Sequence, residues 1–446
     1  MRLQRKLVSI LAGGMLLSAS PLVLAEQQSL VNIFELAEQH DPQLRAAEQA
    51  RLATLEARPQ ARSQLLPQVN AQGVLNRVDE NSFVDGQPGS FVTTDKNYTQ
   101  TQLRIDVTHP LFYKDREVQL DQANKQVQQA AFDYAAAEQD LIVRTAEAYF
   151  NVLKARADLE FAQANKKAIS RQLEQTRKRF EVGLTAITDV HEAKARYDQA
   201  VAQEITSQNQ LDNAFEALST ITGQSHEELA DLRNQLELAP PEPQNHEAWV
   251  KKALEENLQT RSQRIATDIA RQEIEKQRAA HYPTVDLKGS YSYDESGAFG
   301  TDSETGTASV GVQVSMPIYT GGAISSRKRE AVYSFQQAQE NLEGSIRQTR
   351  QQTRDAYRGV MSSISEVQAL KQALTSAETA LEATEAGFEV GTRTIVDVLD
   401  SQRALFEAQR DYATARYDYI LNTLRLKQAA GTLSAADVEQ VDQHLR

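Results

Sequence analysis

A chain of 446 residues with 40% hydrophobic and 24% charged side chains, one Trp and a mean hydropathy of −0.53 has room for two or three domains, but little apolar material for a single deep core. Its formal charge of −13 argues against a nucleic-acid partner, because neutralising a phosphate backbone takes a surplus of Lys and Arg. The absence of Cys excludes a disulfide framework, a thiol nucleophile, a Cys-ligated metal and a lipid-anchoring cysteine.

Arg2, Arg5 and Lys6 precede the apolar run Leu7 to Leu17, and Val23-Leu24-Ala25 closes it on a small residue. That order predicts a secretory signal peptide over residues 1–25, too short to span a membrane as a helix, and an exported protein. No later stretch approaches the roughly eighteen apolar residues a spanning helix requires. If the exported chain enters a membrane, it does so as β-strands.

Leu30 to Gln64 reads as helix with a break at Asp41-Pro42. From about residue 67 the period changes: Val69, Ala71, Gly73 and Leu75 alternate with polar neighbours, as do Leu103, Ile105 and Val107. This predicts a hairpin over about 67–111, with strands of about ten residues joined by a polar loop from Asp79 to Asp95. Between Pro110 and Pro240 there is no Pro, and Gly occurs only at 183 and 223. Rich in Ala, Gln, Glu, Leu and Arg, this stretch predicts a long helix over 113–181, roughly 100 Å at ~1.5 Å per residue. Its stripe is Leu141, Ala148, Val152, Ala155, Leu159 and Ala162, of coiled-coil type. A turn at Gly183 then starts a return helix to about 222.

The link Pro240-Pro241-Glu242-Pro243 opens a second copy of the same unit. Phe180-Glu181-Val182-Gly183 matches Phe388-Glu389-Val390-Gly391, and Ile187, Asp189 and Val190 match Ile395, Asp397 and Val398 at the same offset. Pro67 and Pro110 correspond to Pro283 and Pro317, with the drift in offset confined to a longer loop in the first half. Such self-similarity means a duplicated unit, the first repeat at 26–239 and the second at 240–446. The second contains a helix from His246 to Ala280, a hairpin over about 283–317, a long helix 322–389, a turn at 391, a return helix to 430 and a C-terminal segment. Ala308, Val310, Val312, Val314 and Met316 form its cleanest strand, and Asp294 to Gly306 its loop.

In each half the two short helical segments together about equal the long one. The chain therefore reads as a rod of helices with a strand cap at one end and Gly turns at the other. Four strands cannot close a membrane barrel, whose smallest form has about eight, so a barrel would be shared between subunits. The same alternation also fits a soluble half-buried sheet, and on that alternative the protein is a periplasmic coiled-coil scaffold or adaptor.

Phe180 to Val190 and Ala386 to Asp400 resemble the two helical tip turns of TolC-like channels, the outer membrane factor family, and Met316 to Gly322 resembles their strand-to-helix junction. The resemblance covers essentially the whole mature chain. It implies a mainly α fold with membrane β: a homotrimer whose twelve-stranded barrel, set in outer-membrane lipid, continues into a twelve-helix periplasmic tunnel. It implies passive export of proteins or small molecules, as in type I secretion and multidrug efflux. Opening would come from a periplasmic adaptor and an inner-membrane ABC or RND-type transporter, with no cofactor. The junctions would lie at Pro110, Pro317, Gly321 and Gly322. The Gly pair is missing from the first half, where Lys114-Asp115 follows Phe112-Tyr113, so a stiffer swivel is expected there.

The resemblance further places a constriction at Asp397 and Asp400, a basic link at Arg393 with Asp189 and Thr188 as partners, and Phe388 where the family's gate tyrosine stands. Val182, Gly183, Leu184 and Thr185, with Val390, Gly391 and Thr392, match the adaptor-docking tips; the turns themselves need Gly in any case. Asp397 and Asp400 lie three apart on one helical face, while Thr394 and Asp397 also have capping-box spacing. Around a threefold axis the two acids would form a cation-binding ring, without a structural metal. Arg104, Asp106, Asp286 and Lys288 fit either a pore lining or a solvated strand face. No His-Glu-x-x-His, phosphate-cradling Gly loop or Gly-x-Ser-x-Gly occurs, so no enzyme activity is read.

Overall fold

The computed structural model describes residues 28–85, 91–233, 236–296 and 303–445, and in it one four-stranded sheet sits at the end of a bundle of long helices. The expected signal peptide lies outside the described residues. Helices α1 (Leu30–His40), α2 (Pro42–Leu55) and α3 (Ala57–Ser63) lead into β1 (Gln68–Asp85) and β2 (Phe91–Phe112), and α4 (Lys114–Glu181) and α5 (Ile187–Thr222) follow. The second half runs through α6 (His246–Glu256), α7 (Leu258–Ala279), β3 (Thr284–Ser296), β4 (Ser303–Ser315), α8 (Ala323–Glu389) and α9 (Ile395–Ala430), and α10 (Ala435–Asp442) ends it.

The short helices break where a side chain takes over the orphan amides of the next helix. Asp41 is 2% exposed; it accepts from the Leu44 amide at 2.7 Å and from both terminal nitrogens of Arg144 at 3.0 and 3.1 Å. The segment from His246 to Ala280, read as one helix from the sequence, is in fact two. Asn257 accepts from the Thr260 amide at 2.9 Å and donates to the Ala429 carbonyl at 3.1 Å, ending α6 and capping α7. Asn257 stands as far before Pro283 as Asp41 stands before Pro67. Pro42 announces the first break; Leu258, not Pro, stands directly after Asn257, so the second break carries no such signal.

Packing is dense only at mid-length. Leu141, Ala148, Val152, Leu159 and Ala162 of the α4 stripe are buried, and Ala155 is half-buried. Around Tyr149 and Phe150, Ala148 and Val152 join Leu30, Ile33, Leu218, Val360, Ile420 and Leu424 in one cluster, and Leu141 packs with Ala37 and Leu44 in another. Phe150 stacks on Tyr417 at 5.4 Å between centroids, and the Tyr149 hydroxyl donates to the Ala230 carbonyl at 2.7 Å. Each large side chain buried this fully stabilises the fold by roughly 1.5–3 kcal/mol. Toward both ends the helices share narrow seams, which is how so modest an apolar content suffices.

The sheet runs β1-β2-β3-β4, antiparallel throughout. Its register aligns Val69, Val107, Gly289 and Val310 in one row and Ala71, Ile105, Tyr291 and Ala308 in the next, all on one face. The intervening rows are polar: Asn70, Asp106, Ser290 and Ser309, then Gln72, Arg104, Ser292 and Thr307. The apolar face is bare, with Leu75 73% and Val310 83% exposed.

The strands outrun the expected ten residues: β1 has 18, β2 has 22, and β3 and β4 have 13 each. Much of the expected Asp79–Asp95 loop is therefore strand, with residues 86–90 outside the described residues. Likewise β3 continues to Ser296 and β4 begins at Ser303 within the expected Asp294–Gly306 loop. Polar composition suggested loops; backbone pairing that continues from Asp79 opposite Asn97 to Asp85 opposite Phe91 overrides it.

Candidate functional site

At the end away from the sheet, two turns reverse the chain. The first is held by the Gly183 amide donating to the Phe180 carbonyl at 2.9 Å and the Leu184 amide to Arg179 at 2.8 Å, with Gly183 at φ +78. In the second, the Gly391 amide reaches Phe388 at 3.1 Å and the Thr392 amide reaches Gly387 at 2.9 Å, with Gly391 at φ +79. Both turns need the left-handed conformation, which Gly adopts without a Cβ penalty. Val182, Leu184 and Val390 project from them, the last 76% exposed.

The two return helices start alike. Asp189 accepts from the Thr185 hydroxyl, from the Ala186 amide at 3.3 Å and from the Thr188 hydroxyl at 3.4 Å. Asp397 accepts from the Thr394 amide at 2.7 Å and its hydroxyl at 2.8 Å, and the Thr394 hydroxyl accepts from the Asp397 amide at 3.3 Å. These bonds hold both carboxyls below the ordinary value of 3.8: at Asp189 through the Thr185 hydroxyl first, at Asp397 through the Thr394 amide first, with nearby Arg393 adding to the latter. Within the single chain, then, Asp397 is a helix cap, and Thr188 turns to its neighbour in sequence.

Between the hairpins α4–α5 and α8–α9 lies a cleft of about 1370 Å³, onto which Asp189, Phe388, Arg393 and Asp400 all open. Asp397 is not among its lining residues. Arg393 does not bond Asp189 within the chain; its stem lies back over Gly387. The cleft also holds residues that sequence reading passed over. Arg196 pairs with Glu192 at 2.8 Å and Arg403 with Glu407 at 3.0 Å, each four residues apart on a helix. Their sequence signal is the three-residue spacing of Asp400 and Arg403, which sets an acid and a base on one helical face.

At the other end, the two strand-to-helix junctions differ. After Pro317, Gly321 and Gly322 take φ +62 and +84 with open space where a Cβ would stand. After Pro110, the chain passes directly into α4, and the Tyr113 hydroxyl donates to Asp286 at 2.8 Å while Arg116 stacks over its ring at 3.7 Å. Arg104 pairs with Asp106 on the same strand at 2.8 Å.

The family model described as "Outer membrane efflux protein" matches residues 33–224 and 249–432. The chain is 40% identical to Outer membrane protein TolC of Vibrio cholerae over 99% of both proteins. It is 32% identical to the Alkaline protease secretion protein AprF of Pseudomonas aeruginosa, over 92% of this chain and 86% of that protein. Among solved structures, the CmeC outer membrane channel of Campylobacter jejuni superposes with a TM-score of 0.77 at 15% identity, covering 94% of this chain and 90% of that one.

Proposed function

The chain belongs to the outer membrane efflux protein family, and from that premise we propose that three copies close one barrel and one tunnel whose gate is the helical tip. The protein is an outer-membrane duct for efflux and secretion, with its helical tunnel in the periplasm. A periplasmic scaffold without a barrel is not favoured, because the relatives are outer-membrane proteins.

One observation carries the assembly: the sheet has a continuous apolar face and two open edges, β1 and β4. In lipid each unpaired backbone group costs several kcal/mol, so a four-stranded sheet cannot stand alone. Pairing β4 of one copy with β1 of the next removes both edges and closes the ring. Crosslinking in mild detergent is expected to yield a trimer; a folded monomer embedded in the membrane would refute the assembly.

At the tip, Arg393 swings off Gly387 to bond Asp189 and Thr188 of an adjacent hairpin in the closed trimer, with Phe388 supplying no hydroxyl to the link. Exposed ion pairs are individually weak. Three symmetric links suffice to bias the closed state, yet an adaptor that binds the open form better overcomes them. The adaptor engages the protruding turns at Val182, Gly183, Leu184 and Thr185 and at Val390, Gly391 and Thr392, and brings an inner-membrane ABC or RND-type transporter. Asp400, open to the cleft, is the main carboxylate of the cation-attracting ring, with Asp397 contributing beyond its capping role.

A further inference from the structure

Just beneath the sheet, each chain carries five cations without acidic partners. Arg58 and Arg62 lie on α3, and Arg327, Lys328 and Arg329 on the first turns of α8. All five are exposed, and among the described residues none makes an ion pair or a side-chain hydrogen bond. Other cations at this level are already engaged: Lys114 pairs with Glu117 at 2.9 Å, Arg116 donates to the Gln64 carbonyl at 2.7 Å, and Lys276 pairs with Glu273 at 3.3 Å. Glu56 and Glu330 flank the five in sequence and leave the cluster positive, in a chain whose net charge is −13. Next to it on the sheet side stand Ile318 and Tyr319, 95% and 88% exposed.

The order of packing sets these cations at the two sides of one chain: α3 lies on α4, α4 on α7, and α7 on α8. Closing the ring brings α8 of one copy beside α3 of the next, so both groups meet at the seam. A second copy therefore adds positive charge where negative charge is missing. We infer that each seam binds the phosphates of anionic phospholipids in the periplasmic leaflet, with Ile318 and Tyr319 against the acyl region. The apolar and aromatic residues stand on the bilayer side and the cations on the aqueous side, the order in which membrane proteins hold acidic headgroups. This inference rests on the membrane barrel proposed above.

The test is lipid retention by the purified full-length trimer exchanged into detergent with equal phosphatidylglycerol and phosphatidylcholine, then washed and its bound lipid quantified. Wild type is expected to retain phosphatidylglycerol over phosphatidylcholine by roughly tenfold at low salt. The preference should fall toward parity near ~1 M salt, where the Debye length is about 3 Å. The variant carrying Arg58→Gln, Arg62→Gln, Arg327→Gln, Lys328→Gln and Arg329→Gln should show parity at low salt. Should it not assemble, the milder Lys328→Gln with Arg329→Gln is expected to lose part of the preference. Parity in wild type, an undiminished preference in the variants, or displacement of the lipid by added inorganic phosphate would each overturn the inference. Failure of the barrel itself reads differently: the protein would then not co-sediment with vesicles of either lipid.

Discussion

The stem of Arg393 lies across Gly387: a Cβ built on that glycine would stand 2.8 Å from the Arg393 Cγ. Glycine near the end of a long helix lowers its stability, so its presence at 387 calls for a reason, and room for Arg393 supplies one. Gly387→Ala is expected to strengthen α8 by roughly 0.5–1 kcal/mol while displacing Arg393. If Arg393 leaves Gly387 to hold the gate, single-channel conductance in planar bilayers falls in Gly387→Ala and rises in Arg393→Ser. Unchanged conductance in both, with the trimer intact, would return Arg393 to a role within its own turn.

Asp189 and Arg393 open on one cleft without touching, and the link between them can be tested by coupling. Asp189→Asn keeps an acceptor for the Ala186 amide and removes the charge, so the start of α5 is preserved. Its conductance should rise as in Arg393→Ser, and the double variant should add little, because both remove one bond. Full additivity of the two increments would mean that they act separately.

Asp397 and Asp400 should separate by function. Asp400→Asn is expected to weaken cation selectivity and block by multivalent cations added from the periplasmic side. Asp397→Ala should also fray the start of α9, since it deprives the Thr394 amide of its acceptor. The depressed carboxyl of Asp397 means that this cap is present above the ordinary value of 3.8 and is lost as the pH falls through the lower folded value. Protection of the amides at the start of α9 against hydrogen exchange, relative to their intrinsic rates, should therefore fall in acid in the wild type and be low at all pH in Asp397→Ala.

The faces of β4 give a contrast between neighbours. Val312 is 63% exposed on the apolar face, and Gln313 lies across from Asp286 on the other. Val312→Lys should cost ~2–4 kcal/mol near the midplane, while Gln313→Lys should be tolerated. Heat-modifiable mobility of the trimer after membrane extraction reads the difference; equal yields of folded trimer would reject the lipid face.

Asp41 and Arg144 tie the short helices to α4. Burial alone would push the Asp41 carboxyl up, but the Arg144 guanidinium and the Leu44 amide outweigh it and hold it below 3.8. A depressed carboxyl stabilises the fold above its unfolded value and loses that contribution as the pH falls through the folded one. Asp41→Asn should cost roughly 2 kcal/mol at neutral pH. In thermal unfolding followed by circular dichroism, the gap between variant and wild type should narrow below about pH 4; a gap independent of pH would remove the ion pair from the explanation.

Long periodic features were legible in the sequence. The absence of Pro, the stripe from Leu141 to Ala162 and the repeated Phe-Glu-Val-Gly turns led to the two long helices and their reversals, because helix propensity and Gly turns are local properties. Less legible was anything decided by a distant partner. Asn257 ends α6 with the help of Ala429, and β1 and β2 extend because each supplies the other's hydrogen bonds past where alternation fades. Spacing alone allowed Asp397 to be a cap or a pore acid, and hydrogen bonding makes it a cap in the single chain. Arg393 over Gly387 had no sequence signal at all, since it depends on how tightly the second turn is wound.

Strand β2 pairs with β1 from Phe91 onward, but with β3 only from Gln100 onward. The first hairpin thus overtops the second, and in a closed ring of three the outer rim is crenellated, with three tall merlons separated by three low gaps. A particle arriving from outside meets three identical hairpin crests before it meets the pore.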